Sequence, residues 1–314
     1  MELFFINPFI TLCAAFIASV LLALISIPSL HQVARARSLY VFQHEDEPRI
    51  SLTPNLGGIS LFIAFVIPVC IFSYPSIDNA LVYLIAALVI LFFSGLMEDV
   101  LSLIPFKRLI AVTAAIVIFS DMSALRFTSL QAPFIIPLEY HIGLYITLAY
   151  FLVLHYAFAF LRKRKGIVPA LGLAVGTAGT ISAILGQWWF LGILSASLSG
   201  ATLVLLIIEN HSKYRVDTGM SGNMQISFIS GIILLYLSKM NLSPITNAHS
   251  VGLSWLPFVI VLFIVAIAFA EWLSRRGKSY GKLKDTFQGK KKPLLVLLLA
   301  AFIELALIAA CMLF

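Results

Sequence analysis

Charge is what this chain lacks most. Asp, Glu, Lys and Arg make up 11% of its 314 residues, against 61% hydrophobic, whereas soluble domains carry about a quarter charged and about half apolar. With a mean hydropathy of +1.03, no soluble core could enclose so much apolar surface, and the solvent is read as lipid. Alternating polarity in roughly ten-residue segments, the mark of a membrane β-barrel, is missing as well. The apolar runs are continuous and about 20 residues long, enough to span a bilayer as helices with all backbone hydrogen bonds closed internally. Cysteine is scarce too. Cys13, Cys70 and Cys311 sit inside apolar runs at spacings that fit no metal site, so they read as small hydrophobes. The first run follows Met1 without a basic leader or a small-residue cleavage site, and so reads as a retained span. No basic patch interleaved with aromatics lies on an aqueous stretch, which excludes nucleic-acid binding despite the net charge of +7.

What is present is a series of ten apolar runs, at 8–30, 55–74, 80–97, 109–120, 141–161, 167–185, 187–208, 222–239, 251–273 and 293–313. The expected fold is therefore an all-α polytopic bundle of about ten transmembrane helices in a single integral-membrane domain, 1–314. The fourth run is short, and tilts or extends into the segment after it. The sixth and seventh are separated by Gly186 and Gln187 alone. Loops after the odd-numbered runs hold Arg35, Arg37 and Arg49, then Lys107 and Arg108, then Arg162, Lys163, Arg164 and Lys165, then Lys213 and Arg215, then eight cations from Arg275 to Lys292. These are nineteen of the 21 Lys and Arg; the other loops hold Arg126 and Lys239. Basic loops stay cytoplasmic, so both termini face outward and five loops share the cytoplasmic face of the cell inner membrane. Gly172 and Gly176 form a small-xxx-small pair that reads as helix packing.

Of the fourteen carboxylates, eight lie in or beside the basic loops: Glu45, Asp46, Glu47, Glu98, Asp99, Glu209, Asp217 and Asp285. Glu271 ends the ninth run, and Glu304 lies inside the tenth, where a charge costs at least ~2.5 kcal/mol and faces the bundle interior. Glu304 is either functional or protonated and packed, and both readings stay open. Three loops look built for chemistry. "LTPNLGGISLF" places Gly57 and Gly58 at the head of the second run, where paired glycines serve tight packing or backbone approach to a phosphate. "SGLMEDVLSLIPFKR" joins Glu98 and Asp99 to Lys107 and Arg108. "YRVDTGMSGNM" sets Asp217 before the eighth run, which as an isolated feature reads equally as a helix N-cap.

Taken in order, these loops resemble the polyprenyl-phosphate N-acetylhexosamine-1-phosphate transferases, over essentially the whole chain. "TPNLGGISLF" looks like that family's P-x-x-G-G motif, "GLMEDVLSLIPFKR" its G-x-x-D-D segment with a following basic residue, and "YRVDTGMSG" its F-x-G-D-x-G-S segment. "RRGKSYG" is similar to the start of its last cytoplasmic loop. The resemblance implies attack by a lipid phosphate on the β-phosphorus of a UDP-sugar, with release of UMP. Magnesium would neutralise the pyrophosphate. Asp217 would hold the metal where magnesium binds, and Asp99 with Glu98 would act near the lipid phosphate. Gly57, Gly58, Lys107, Asn210, Arg162 and Lys165 complete the implied substrate-binding set. The implied partners are polyprenyl phosphate, a UDP-sugar and membrane lipids, with a homodimer left open.

The departures from the family are concentrated in its chemistry. The third loop normally reads N-A-F-N-x-x-D-G-x-D-G-L; here "YAFAFLRKRKGI" lies on it, with Arg162 and Lys165 where the two aspartates belong. Each exchange swings the local charge by two. At ~4 Å and an effective dielectric near 20, one like-charge contact costs about 4 kcal/mol, and a divalent ion would feel about twice that from each cation. Val216 and Met220 replace a Gly and a Ser around Asp217, the last loop "KLKDTFQGKKKP" has no histidine, and Asp46 and Arg49 stand where an Arg-x-x-His pairing belongs. Scaffold residues persist while chemistry residues are missing. Three readings follow: a transferase with remodelled chemistry, in its metal-free form with Arg162 and Lys165 doing magnesium's electrostatic work; a catalytically silent homologue that binds lipid phosphate or nucleotide sugar, or regulates a glycan-assembly pathway; and a transporter. A transporter would carry polar residues at the bilayer midplane, whereas here they collect at one face.

Overall fold

The computed structural model describes residues 7–36, 56–73, 79–101, 105–123, 125–131, 135–162, 165–211, 216–239, 260–262 and 264–265. Eight helices cover most of this: α1 (Pro8–Ala36), α2 (Gly57–Phe72), α3 (Asn79–Leu101), α4 (Pro105–Met122), α5 (Tyr140–Leu161), α6 (Ile167–Gly186), α7 (Trp189–His211) and α8 (Gly219–Lys239). They coincide with the first eight apolar runs. Six of them are long and apolar enough to cross a membrane, and α2 is a shorter apolar helix. The chain is a multi-pass helical membrane protein. The tenth run, Glu271, Glu304, the histidine-free last loop and most of the ninth run lie outside the described residues, as do Glu45, Asp46, Glu47, Arg49, Lys163, Arg164, Lys213, Arg215 and Asp285.

Two features depart from a purely helical reading. The fourth run extends in both directions to an 18-residue helix. An antiparallel pair, β1 (Ser129–Gln131) and β2 (Ile135–Pro137), then turns the chain back into α5. Three-residue strands leave no periodic signature in a sequence, which is why the pattern of apolar runs did not reveal them. The α6–α7 hairpin is as tight as the sequence implied. Gln187 takes φ 57 at the end of α6, its N–H reaches the Ile184 carbonyl at 3.4 Å, and the Trp188 N–H reaches that of Ala183 at 2.9 Å. This is a left-handed cap of the Schellman kind, with glutamine where glycine is usual.

Helices do not associate in lipid through the hydrophobic effect; small residues and interhelical hydrogen bonds must do it. Both devices are present. A Cβ on Gly176 would lie 3.0 Å from the Ser195 carbonyl and the Ser199 nitrogen, so α6 and α7 meet nearly backbone to backbone. The Ser19 hydroxyl of α1 donates to the Ser197 carbonyl of α7 at 2.7 Å, and Ser26 of α1 meets Ser60 of α2 at 2.6 Å. Helix α8 occupies the middle of the bundle, touching α2, α3, α5, α6 and α7. It is almost wholly buried, yet it carries Ser221, Asn223, Gln225, Ser227 and Ser230. Gln225 Nε2 donates to the Gly58 carbonyl and to its own helix's Ser221 carbonyl, each at 3.0 Å. The Asn223 amide is satisfied when its nitrogen faces the Phe158 carbonyl of α5 at 3.0 Å and its oxygen faces the Ala159 N–H at 3.3 Å.

Gly95 on α3 and Gly58 on α2 let both backbones close on the start of α8: a Cβ on either would collide with Ser221. Gly95→Ala is therefore expected to lower stability by about 1–3 kcal/mol, the usual cost of overpacking. Gly192→Ala should cost clearly less, because its nearest neighbour is the mobile end of the Leu12 side chain. Thermal unfolding of the two variants in one detergent checks the difference.

Candidate functional site

The polar loops identified in the sequence gather where α8 begins. Gly219 takes φ 70 there, a left-handed conformation that glycine adopts without the Cβ penalty. The first turn of α8 consequently presents free N–H groups, as every helix start does. Asp99 fills them. Its carboxylate accepts from the Met220 N–H at 2.7 Å, the Ser221 N–H at 2.9 Å and the Ser221 hydroxyl at 2.9 Å. The reach depends on Gly95, one helical turn earlier on the same face of α3, whose missing side chain admits the Ser221 backbone. A carboxylate offers about four lone-pair positions. Three take these hydrogen bonds, and the remaining side faces the Arg162 guanidinium at 3.6 Å, with the Asp99 side chain 3% exposed. Asp99 has become the N-cap of α8, supplied from another helix, and its negative charge sits at the favourable end of the helix dipole.

The paired glycines meet this same turn. The Gly57 N–H donates to the Asp217 carbonyl at 3.0 Å, and a Cβ on Gly57 would press within 2.7 Å of that oxygen. Both glycines are thus consumed by packing against 217–222. The Asp217 side chain is buried and interacts with Glu209 at the end of α7. Glu209 in turn accepts from the Thr218 hydroxyl at 3.2 Å and from the backbone N–H of Gly166. A hydrogen bond between two carboxyl groups needs one of them to carry a proton. Gly166, at φ 79, caps the start of α6, and a Cβ there would fall 2.7 Å from the Asn210 amide nitrogen. Asn210 itself is exposed and donates to its own helix's Leu206 carbonyl at 3.0 Å.

Gly57, Gly58, Asp99, Arg162, Asn210 and Asp217 therefore lie along one contiguous set of contacts around the α8 start. Glu98 does not join them. One residue from Asp99 on the helix, it points to a different side and pairs with Arg108 of α4 at 2.9 Å. Arg108 also lies 5.6 Å from the Tyr156 ring of α5. Lys107 and Lys165 are exposed and make no ion pair among the described residues.

Sequence reading missed Glu209 as a site residue. The available signal was a carboxylate closing an apolar span, a position where charge is expensive. It also missed the buried pair of His155 with Ser227, at 3.2 Å across α5 and α8. A single His among apolar residues carries no distinguishing pattern.

Magnesium, which the resemblance implies, takes oxygen ligands and demands near-ideal octahedral geometry. Among the described residues, Asp99, the acid that faces Arg162, does not fit it. Asp99 already accepts three hydrogen bonds from α8 and has the Arg162 guanidinium 3.6 Å away, and the Glu209 carboxyl meets Thr218, Gly166 and Asp217. Among the described residues no three of His, Cys, Asp and Glu come together as a metal-holding group. The chain matches no protein-family model and no curated protein.

The arrangement makes Asp99 chiefly a structural anion. Asp99→Ala should cost about 2 kcal/mol, at the upper end for an N-cap, and Ser221→Ala about 1 kcal/mol, the worth of one net hydrogen bond. The double variant should lose less than the sum, because both changes remove one shared contact. Denaturation of the three variants in the same detergent gives the comparison.

Proposed function

We propose that this chain is a diverged, catalytically silent homologue of the polyprenyl-phosphate N-acetylhexosamine-1-phosphate transferases, binding lipid phosphate or nucleotide sugar at the cytoplasmic face of the cell inner membrane. The observation that carries the reading is the convergence on the start of α8. Three loops far apart in sequence, each resembling a motif of that family, supply Gly57, Asp99 and Asp217 to one turn. A transporter offers no reason for that gathering at one end of the helices.

Silence follows from how the acids are employed. To deprotonate a lipid phosphate, a carboxylate needs a free lone pair within hydrogen-bond reach of the proton. Asp99 is held by three donors of α8 with Arg162 beside it, and Glu98 pairs with Arg108 through Oε1 while its Oε2 is buried. In the family, two aspartates of the third loop bring negative charge to the site. Here Arg162 stands at the first of those positions and pairs with Asp99. In this reading, a cation that attracts an anion stands where the family has an acid that holds a metal. The fuller architecture proposed with this function has ten spans and both termini outward, so that the basic loops draw anionic ligands from the cytoplasm.

Purified protein incubated with undecaprenyl phosphate and a panel of UDP-sugars, with and without magnesium, should release no UMP above background. Magnesium-dependent release lost in Asp217→Asn would establish an active transferase instead. Orientation is checked separately in a variant without native cysteines. Lys165→Cys should react with an impermeant maleimide only after the cytoplasm is opened, and Arg126→Cys in intact cells. The reverse pattern would overturn the orientation.

A further inference from the structure

The geometry points to Arg162 as the resident cation of this site: it takes the place of a divalent ion, both as counter-charge to Asp99 and as the donor that meets the phosphate of an incoming ligand. The ligand class, a phosphate monoester, rests on the proposed function; the replacement of the metal does not. Three observations support the assignment. Arg162 is the C-cap of α5, its N–H donating to the Phe158 carbonyl at 2.9 Å, so its backbone is fixed by a helix end. Its guanidinium stands 3.6 Å from Asp99, too long for a hydrogen bond, while its side chain remains 32% exposed. Asp99 is its one partner among the described residues.

The ion pair is therefore loose on the arginine's side and tight on the aspartate's. Asp99 keeps its three hydrogen bonds to α8 whether or not Arg162 stays. Arg162 has five N–H donors in a planar fork that matches phosphate oxygens two at a time, and it can turn them to an anion at small cost to the fold. A lysine would present a point charge with no such fork. A divalent ion in the same place would meet the positive charge of Arg162 and a carboxylate that already accepts three hydrogen bonds.

The phosphate can arrive on a lipid or on a nucleotide, and the test separates the two. Full-length protein in nanodiscs is titrated with undecaprenyl phosphate, and in a second arm with UMP, always in EDTA and again in magnesium. Wild-type affinity for at least one of them should be the same in both buffers. Arg162→Gln should weaken it about tenfold or more, as loss of a charge-assisted contact does, and Arg162→Lys should restore part of the loss. Electron paramagnetic resonance with manganese should show no stoichiometrically bound ion. Stoichiometric manganese lost in Asp217→Asn, wild-type binding abolished by EDTA, or unchanged affinity in Arg162→Gln would each overturn the assignment. Wild-type protein that takes up neither phosphate removes the ligand role, while the proposed function then rests on a third titration with a UDP-sugar. The counter-charge role then stands or falls on the manganese result alone.

Discussion

The start of α8 is the point on which this molecule depends. A helix threaded through the centre of a bundle has its first N–H groups far from water, and in a membrane each unpaired group is costly. The chain resolves this by bringing Asp99 across from α3, with Ser221 and two backbone N–H groups completing the contact. Much else around the start of α8 follows from that choice. Gly95 and Gly58 are small because α2 and α3 must reach Ser221, and Gly57 ties α2 to the Asp217 carbonyl. Asp217 then meets Glu209, which holds the Gly166 N–H at the head of α6.

The site and the fold are thus built from the same contacts. In an enzyme of the resembled family, such acids would be kept for substrate and metal. Here they are spent on holding helices, and a positive side chain stands beside Asp99. Functional sites are commonly strained or under-satisfied, and a well-satisfied one has less chemical capacity.

The eight helices were legible because lipid imposes a single requirement, a long apolar run, that any sequence must meet in plain view. Their ends were less so: α4 carries Lys107, Arg108 and Asp121 within its length, and charges at helix ends blur a hydropathy pattern. The resemblance put Glu98, Asp99, Arg162, Lys165 and Asp217 at one site; Asp99, Arg162 and Asp217 meet near the α8 start, while Glu98 turns to Arg108 and Lys165 is exposed. Asp99 and Ser221 are 122 residues apart, and no local pattern tells a cap from a catalytic acid. The separation of Glu98 from Asp99 follows from helical rotation of about 100° per residue, which depends on knowing which face of α3 meets α8. Glu209 was visible as a charge, but its bond to Asp217 required the return of the chain through α8.

The most direct measurement is an electron cryomicroscopy map of the full-length protein in nanodiscs with saturating magnesium and undecaprenyl phosphate. The account predicts density for the Asp99 carboxylate on the Met220 and Ser221 N–H groups, the Arg162 guanidinium beside it, and no octahedral ion between them. Asp99 swung away from α8 to coordinate a metal, with Arg162 displaced to the surface, would contradict it.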